Sequence, residues 1–224
     1  MNTAKPGIAI LGGTGDLGAG LVYRLAKTGY RVCIGSRTIE KAQRVAKELL
    51  EKVPDGLIQC AANPDAAAAA DLVIMTVPFA SHVVTIESVW QQVQGKIFVD
   101  TTVPLVPPKV MRVQLPEGGS AAKLAQQMLG EDVRVVSAFH NIAASHLYDD
   151  HIDESAGDVL VCGNNPAARE AVIELAEDMG MTAWHAGAID NSTVPEALTS
   201  ILIFLNKKYG FEGAGMQITG KKKT

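Results

Sequence analysis

Short apolar runs alternate with longer amphipathic segments along the first two-thirds of the chain. The runs have the length of buried strands, and the longer segments carry apolar residues at helical spacing. We predict strands at 7–11, 31–35, 71–77, 96–100 and 133–138, and helices at 16–28, 38–52, 61–70, 81–93 and 121–129. This alternation is typical of an α/β fold, a doubly wound parallel sheet of the Rossmann type.

The last third continues in smaller pieces after an irregular stretch. Four prolines and a Gly-Gly pair exclude long elements from residues 101–120. Further strands are predicted at 159–162 and 182–186, with helices at 166–179 and 195–209. No linker separates independent domains, and we expect a nucleotide-binding part at 1–145 and a small C-terminal α/β part at 146–224. The last helix is apolar on several sides, which indicates burial in a lid or a homodimer interface.

Composition narrows the class of function. The 224 residues are 47% hydrophobic with a formal net charge of −4, which favours a globular protein without a nucleic-acid partner. The N-terminus lacks a signal-peptide pattern, and no run approaches the ~20 apolar residues of a membrane helix. Cys33, Cys60 and Cys162 are far apart and indicate buried thiols in the cytoplasm. Neither the histidines nor the acidic group from Asp149 to Asp158 has metal-ligand spacing; we expect a solvated acidic face and no metal.

A glycine-rich loop, residues 12–18, follows the first predicted strand. Gly13, Gly15 and Gly18 have the G-x-G-x-x-G spacing, which lets the chain turn sharply and approach a pyrophosphate with bare backbone. N–H groups at the start of the next helix would face the phosphates. The alternative is a tight turn without a ligand. The residues predicted to bind the dinucleotide here are Gly13, Thr14, Gly15, Asp16, Leu17 and Gly18.

The end of the second strand indicates which dinucleotide is bound. NAD-preferring folds have a carboxylate there for the ribose hydroxyls, whereas this chain has Ser36 and Arg37, with Lys41 one helical turn beyond. A hydroxyl and a guanidinium favour the 2′-phosphate of NADP(H); the alternative is that Arg37 and Lys41 are surface charges. The backbone that passes the nicotinamide ribose is predicted to be that of Thr76, Val77 and Pro78.

The chain resembles the NADPH-dependent F420 reductases, also called F420:NADP oxidoreductases, over nearly its whole length. The motifs that carry the resemblance are the loop at 12–18, Gly35-Ser36-Arg37 with Lys41, Thr76-Val77-Pro78, Ser137-Ala138-Phe139-His140 and Asp190-Asn191-Ser192. The resemblance implies a C-terminal part that closes over the nucleotide site. It also implies hydride transfer between NADP(H) and a deazaflavin, coenzyme F420, held against the nicotinamide.

Position by position, the resemblance implies roles for two groups of residues. Thr14, Ser36, Arg37 and Lys41 would hold the NADP phosphates, and His140, Ile142, Asn191 and Leu198 would lie near the deazaflavin. Hydride transfer between stacked rings needs orientation more than an acid or base, and we predict no catalytic residue. Three departures from the family fall in the second-substrate region: the flanks of the Pro-Leu-Val-Pro segment at 104–107, a missing proline after Ile142, and Pro195 at the start of the last helix.

Several alternatives follow from the residues themselves. FMN or FAD could replace F420, and the second substrate could instead be a small carbonyl or imine compound. A non-catalytic NADP-binding redox sensor is a third possibility, although a sensor would be expected to lose the second pocket. His140 has a structural alternative too, as a packed, hydrogen-bonded side chain at the end of a strand.

Overall fold

The computed structural model describes residues 5–149 and 157–221, which form an eight-stranded sheet flanked by helices. The strands are β1 (Gly7–Leu11), β2 (Arg31–Ser36), β3 (Leu57–Ala62), β4 (Leu72–Met75), β5 (Ile97–Asp100), β6 (Arg134–Ser137), β7 (Val159–Gly163) and β8 (Ala183–His185). The helices are α1 (Asp16–Lys27), α2 (Ile39–Lys52), α3 (Asn63–Ala69), α4 (His82–Val89), α5 (Ala121–Leu129), α6 (Pro166–Asp178) and α7 (Thr193–Tyr209).

The strand order is β3-β2-β1-β4-β5-β6-β7-β8. The first six strands are parallel, whereas β7 pairs antiparallel with β6, with Ser137 opposite Cys162, and β8 is parallel to β7. The order reverses between β1 and β4, and ligands of open α/β sheets bind at such a switch point. The predicted Rossmann-type fold is confirmed, and β7 and β8 extend the same sheet beyond residue 145.

Both faces of the central strands are buried, because side chains alternate between the two faces and helices cover each of them. On β1, Ile8 and Ile10 pack with α1, α2 and α6 on one face, where Leu21, Val22, Leu25, Leu49 and Val172 lie. Ala9 and Leu11 pack on the other face with α3, α4 and α5, where Ala66, Ile86, Val89, Ala125 and Leu129 lie. All four β1 residues are at most 1% exposed. Helices on both faces hold the strand ends, and the loops after them, in fixed positions.

Two local predictions were wrong. No strand was predicted at β3, because this edge strand pairs only with β2 and alternates between exposed and half-buried residues, without an apolar run. The predicted helix over 61–70 is consequently the shorter α3. Thr38 is the N-cap residue of α2, and its side chain makes no capping hydrogen bond. Its backbone N–H instead donates to the Ser36 hydroxyl at 3.1 Å.

Helix α7 begins at Thr193, so Pro195 lies in its first turn. Proline is accepted there because the first N–H groups of a helix have no partner within the helix. Only part of the apolar surface of α7 is covered: Leu202 is buried, whereas Ile201 and Phe204 are 48% and 47% exposed. No helix of the described residues is long and apolar enough to cross a membrane.

The remaining differences concern cysteines and acidic residues. Of the three predicted buried thiols, only Cys162 is fully buried, while Cys33 and Cys60 are half-buried. Asp158 is not part of a solvated acidic face: it is 5% exposed and accepts hydrogen bonds from the Trp184 indole and the Ile218 N–H, both at 2.7 Å. Positions 150, 153 and 154 of the acidic group lie outside the described residues.

Candidate active site

The candidate site is the carboxyl edge of the sheet. Because β1 to β6 are parallel, the loops that follow them emerge on the same side. Four strand spacings of about 4.8 Å separate β2 from β6, a span of about 19 Å. In spatial order from β2 to β6, the loops begin at Arg37, Gly12, Thr76, Thr101 and Ala138. The structure therefore brings the predicted nucleotide-binding segments and the segment before His140 to one edge.

The loop after β1 is held by its own backbone. The Gly12 N–H donates to the Gly35 carbonyl at 3.0 Å, and the Gly13 N–H donates to the Ile10 carbonyl at 3.1 Å. A Cβ on Gly18 would lie 2.6 Å from the Thr76 hydroxyl and 2.7 Å from the Gly13 Cα. Gly18 is therefore required by the fold itself, because it lets α1 approach β1 and the end of β4.

Gly15 differs from Gly18. It is exposed and has extended backbone angles that any residue adopts, and a Cβ there would meet only the Gly12 carbonyl oxygen, at 3.6 Å. Gly15 is also the N-cap of α1, and no side chain caps the helix. Uncapped N–H groups at a helix start suit a phosphate. The open space and the free donors fit a dinucleotide pyrophosphate. Asp16 is exposed beside them, and Thr14 and Leu17 are half-buried.

The loop after β2 carries the predicted 2′-phosphate residues. Ser36 is 7% exposed, and Arg37 and Lys41 are exposed, without a hydrogen bond or ion pair to any described residue. Ser36 and Arg37 line a cavity of about 310 Å³, together with Asn63 and the start of α4. Lys41 does not line it. A cation beside the start of α2 interacts unfavourably with the positive end of the helix dipole. A bound anion would offset that repulsion.

The segment after β4 packs directly on the glycine loop. The Thr76 hydroxyl donates to the Leu11 carbonyl at 3.0 Å. A Cβ on Gly12 would lie 2.7 Å from the Val77 Cγ1, so Val77 leaves no room for a side chain there. Gly12 has a φ of +75°, which favours glycine there as well. Pro78 is exposed and precedes a 3₁₀ turn. Thr76 and Val77 thus pack against the glycine-rich loop. That their backbone passes the nicotinamide ribose stays a prediction.

A buried histidine–aspartate contact at the end of β5 was not predicted as part of the site. The His82 Nε2 and the Asp100 Oδ2 are 2.7 Å apart, and both side chains are 0% exposed. The other Asp100 oxygen accepts a hydrogen bond from the Thr102 N–H at 2.9 Å, so the pair fixes the chain that leaves β5. A carboxylate at the end of an apolar strand, at this edge of the sheet, was the available signal.

His140 lies at the end of β6 in an unusual environment. The preceding Phe139 is fully buried with a φ of +65°, a conformation that costs an L-residue roughly 1–2 kcal/mol. His140 is 5% exposed, and neither ring nitrogen has a hydrogen-bond partner among the described residues. Burial lowers the pKa of His140 to about 4, against the opposing influence of Asp100. The imidazole is therefore neutral at physiological pH.

Two buried hydroxyls at this end of the sheet also lack a hydrogen-bond partner among the described residues. They are those of Thr102, after β5, and Ser137, on β6. Buried polar atoms in folded proteins are nearly always satisfied. The structural alternative for His140 was a packed side chain with hydrogen bonds. The ring is packed, but its nitrogens make no hydrogen bond to the described residues. A polar ligand that reached these groups would satisfy them, which fits a second substrate.

Helix α7 covers this region from the C-terminal part. Glu196, which is fully buried, accepts hydrogen bonds from the Ala121 and Ala122 N–H groups at 2.6 and 3.1 Å, at the start of α5. Burial raises the pKa of Glu196 to about 8, although both bonds oppose that change. Three residues further along, the Thr199 hydroxyl donates to the His140 carbonyl at 2.9 Å. Glu196 and Thr199 were not predicted, because nothing local marks a helical residue whose partner lies far away in sequence.

The other predicted second-pocket residues have different environments. Leu198 is half-buried, next to Thr199 on α7. Ile142 is 6% exposed and belongs to the hydrophobic core. Asn191 is exposed, and its amide already donates to the Ala186 carbonyl at 2.8 Å. The described residues contain no group of three or more histidine, cysteine or acidic side chains that could hold a metal ion.

A Rossmann sheet with an open glycine-rich loop after β1, and with two cations after β2 that have no partner among the described residues, is typical of the NADP-binding oxidoreductases. The model of the family described as "NADP oxidoreductase coenzyme F420-dependent" matches residues 7–104. The F420-dependent NADP reductase of Methanothermobacter thermautotrophicus is 40% identical over 220 residues, covering 95% of this chain and 94% of the relative. That of Methanocaldococcus jannaschii is 41% identical over 221 residues, covering 95% and 97%. This chain belongs to the F420-dependent NADP reductase family.

A solved structure agrees along the whole chain. It is a protein from Arthrobacter sp. FB24, provisionally described as an F420-dependent NADP reductase, and it superposes with a TM-score of 0.80. The two chains are 26% identical, and the alignment covers 96% of this chain and 100% of that one. The similarity therefore includes the C-terminal part with β7, β8 and α7, as well as the nucleotide-binding part.

Proposed function

We propose that this chain transfers a hydride between NADP(H) and coenzyme F420. The observation that carries the proposal is the carboxyl edge of the sheet, where an open phosphate loop lies a few strands from the orphaned ring of His140. Membership of the F420-dependent NADP reductase family supports this reaction over reduction of a small carbonyl or imine compound, and over a non-catalytic redox sensor. The relatives match along nearly their whole length, so the family assignment includes the second-substrate region.

NADP(H) would occupy the switch point between β1 and β4. The start of α1 would hold the pyrophosphate through backbone N–H groups, and Arg37 would pair with the 2′-phosphate, supported by Ser36 and Lys41. The residues proposed for the nucleotide are Gly13, Thr14, Gly15, Asp16, Leu17, Gly18, Ser36, Arg37, Lys41, Thr76, Val77 and Pro78.

The second substrate would bind beside β6. Coenzyme F420 supplies the ring that accepts or returns the hydride. The residues proposed for its pocket are His140, Ile142, Asn191 and Leu198. The orphaned nitrogens of His140 fit a polar ring edge, and the neutral imidazole can donate one hydrogen bond and accept another. No acid–base pair is needed for the transfer itself; the chain would orient the two rings and exclude water.

We propose that residues 1–145 carry the nucleotide and that residues 146–224 supply α7 over the second pocket. We also propose a homodimer in the cytoplasm. Three free cysteines agree with a reducing compartment, and exposed apolar side chains on and after α7 agree with contact to a second copy. Those side chains are Val194, Ile201, Phe204, Tyr209 and Phe211. Sedimentation velocity should give a dimer that Phe204→Asp dissociates, while Lys207→Asp, at an already charged position on the same helix, leaves it intact.

The activity is tested by mixing purified protein with NADPH and, separately, F420, FMN, FAD or a panel of cyclic imines and small carbonyl compounds. NADPH oxidation should occur with F420, with equal amounts of both substrates converted. Oxidation only with FMN or FAD would replace the deazaflavin by a flavin. Oxidation only with an imine or carbonyl compound would establish the alternative reductase, and tight NADPH binding without any oxidation would favour the sensor.

A further inference from the structure

The carbonyl of His140 receives a hydrogen bond from a different part of the chain. Its donor is the hydroxyl of Thr199, on α7, 59 residues away in sequence. We propose that Thr199 is a positioning residue, which holds the His140 main chain in the conformation that the second-substrate site requires. The inference rests on the proposed function and adds a residue that acts through His140 rather than on the substrate.

The hydrogen-bond geometry shows that this contact is preferred over a local one. A threonine within a helix commonly donates its hydroxyl to the carbonyl four residues earlier. The Thr199 hydroxyl lies 3.4 Å from that carbonyl, on Pro195, but 2.9 Å from the carbonyl of His140. The single hydroxyl hydrogen is therefore donated to the His140 carbonyl, in the loop after β6. This bond connects α7 to the candidate site.

The backbone next to His140 needs such support. Phe139 has a φ of +65°, and residues in this region keep the conformation only when their surroundings enforce it. The fully buried Phe139 side chain anchors the loop at that residue. The Thr199 bond anchors it at the next carbonyl, that of His140. Loss of that bond leaves the direction of the His140 ring less well fixed.

The donor itself is rigidly placed. Glu196 precedes Thr199 by one helical turn, on the same side of α7, and it is anchored to two N–H groups at the start of α5. Just before α7, the Ser192 hydroxyl donates to the Ser120 hydroxyl at 2.7 Å, and both side chains are fully buried. Helix α7 is thus fixed to α5 close to Thr199, and the hydroxyl reaches His140 from a fixed base.

The test compares Thr199→Val, which removes the donor and keeps the shape, with Thr199→Ser, which keeps the donor. Thr193→Val is the matched control, because it makes the same change at a hydroxyl that bonds only the nearby Asp190 carbonyl. We expect Thr199→Val to raise the KM for F420 about five- to tenfold, the effect of losing one partly buried hydrogen bond. The kcat and the Kd for NADPH should change less than twofold, and Thr199→Ser should restore the wild-type KM.

A second measurement needs no F420. The ¹⁵N resonances of the His140 imidazole should shift in Thr199→Val and remain in place in Thr199→Ser and Thr193→Val. Unchanged KM and unchanged resonances in Thr199→Val would overturn the proposal, and so would a serine variant that fails to rescue either. Failure of the wild-type protein to oxidise NADPH with F420 would refute the proposed function instead, while the imidazole resonances would still decide whether Thr199 positions His140.

Discussion

The phosphate loop and the His140 region lie at the same edge of the sheet but are built in opposite ways. The loop is made of consecutive residues, presents backbone N–H groups, and is open at Gly15. The His140 region is buried and assembled from β5, β6 and α7, with side chains that come together only in the folded chain. A pyrophosphate is recognised by a local backbone shape, whereas a ring with specific polar edges requires side chains held from several directions.

Gly15→Val tests the open glycine-rich loop and should have the largest effect on ligand binding. The valine would occupy the space proposed for the pyrophosphate, so NADPH binding should become undetectable by titration calorimetry, a loss of more than about 4 kcal/mol or 10³-fold. Because a Cβ at Gly15 meets nothing closer than 3.6 Å, the Tm should stay near that of the wild type. Gly18→Ala is the contrasting variant, and its Tm should fall because its Cβ overlaps Gly13 and Thr76. Normal NADPH binding by Gly15→Val would show that the loop is only a turn.

Glu196→Gln tests the buried region around His140, to which α7 contributes. Burial raises the pKa of Glu196 from its ordinary value of 4.5 to about 8. Between these pH values the folded state holds a proton that the unfolded chain has released, so this group makes the wild type less stable as the pH rises. Glutamine has one acceptor oxygen, so the variant loses one of the two hydrogen bonds at every pH. The difference in free energy of unfolding between Glu196→Gln and the wild type, from denaturant titrations, should nevertheless move in favour of the variant between pH 5 and pH 9. The change in this difference should be at most about 5 kcal/mol.

Glu177→Gln is the control for that measurement, because Glu177 is exposed on α6. Its stability difference from the wild type should not vary between pH 5 and pH 9. A stability difference that moves in favour of the wild type between pH 5 and pH 9 would mean that the two hydrogen bonds to the carboxylate outweigh its desolvation. The helix contact would then be a source of stability at neutral pH rather than a cost.

Arg37→Asp sharpens the difference between phosphate and ring recognition. The change removes a charged contact and adds repulsion, so it should weaken NADPH binding by about 2–4 kcal/mol, with a much smaller effect on NADH. Lys41→Asp should act in the same direction but less strongly. Arg44→Asp, at an exposed position of α2, is the control with the same change in charge. Equal losses for NADPH and NADH in Arg37→Asp would place the 2′-phosphate elsewhere.

His140→Leu should change substrate use less than the preceding variants change ligand binding or stability, and it distinguishes a substrate contact from a purely structural role. Leucine keeps much of the volume and removes two buried nitrogens without partners, so the Tm should not fall. Use of the second substrate should weaken by about 1–2 kcal/mol, the range of a hydrogen bond or a stacking contact. Steady-state kinetics with F420 measure use of the second substrate, and a separate titration measures NADPH binding. A large loss of Tm with unchanged kinetics would make His140 a core residue only.

The sequence by itself determined the local features of this protein. Glycines after the first apolar strand indicate the turn from β1 into α1, because glycine permits the positive φ of Gly12 and the close approach at Gly18. The strands β1 and β6 and the helices α1, α2 and α5 were predictable within a residue or two, since their apolar spacing records which face is buried. The weakly patterned edge strand β3 was not, because half-exposed residues leave no such record.

Only the tertiary structure decided what surrounds His140. The sequence gives no sign that Thr199 bonds its carbonyl, that Glu196 caps α5, or that His82 pairs with Asp100. These partners are 18 to 75 residues apart, and the choice among distant side chains depends on how helices pack on the sheet. Burial likewise sets the pKa of Glu196 and His140, because desolvation is a property of the folded surroundings and not of the residue.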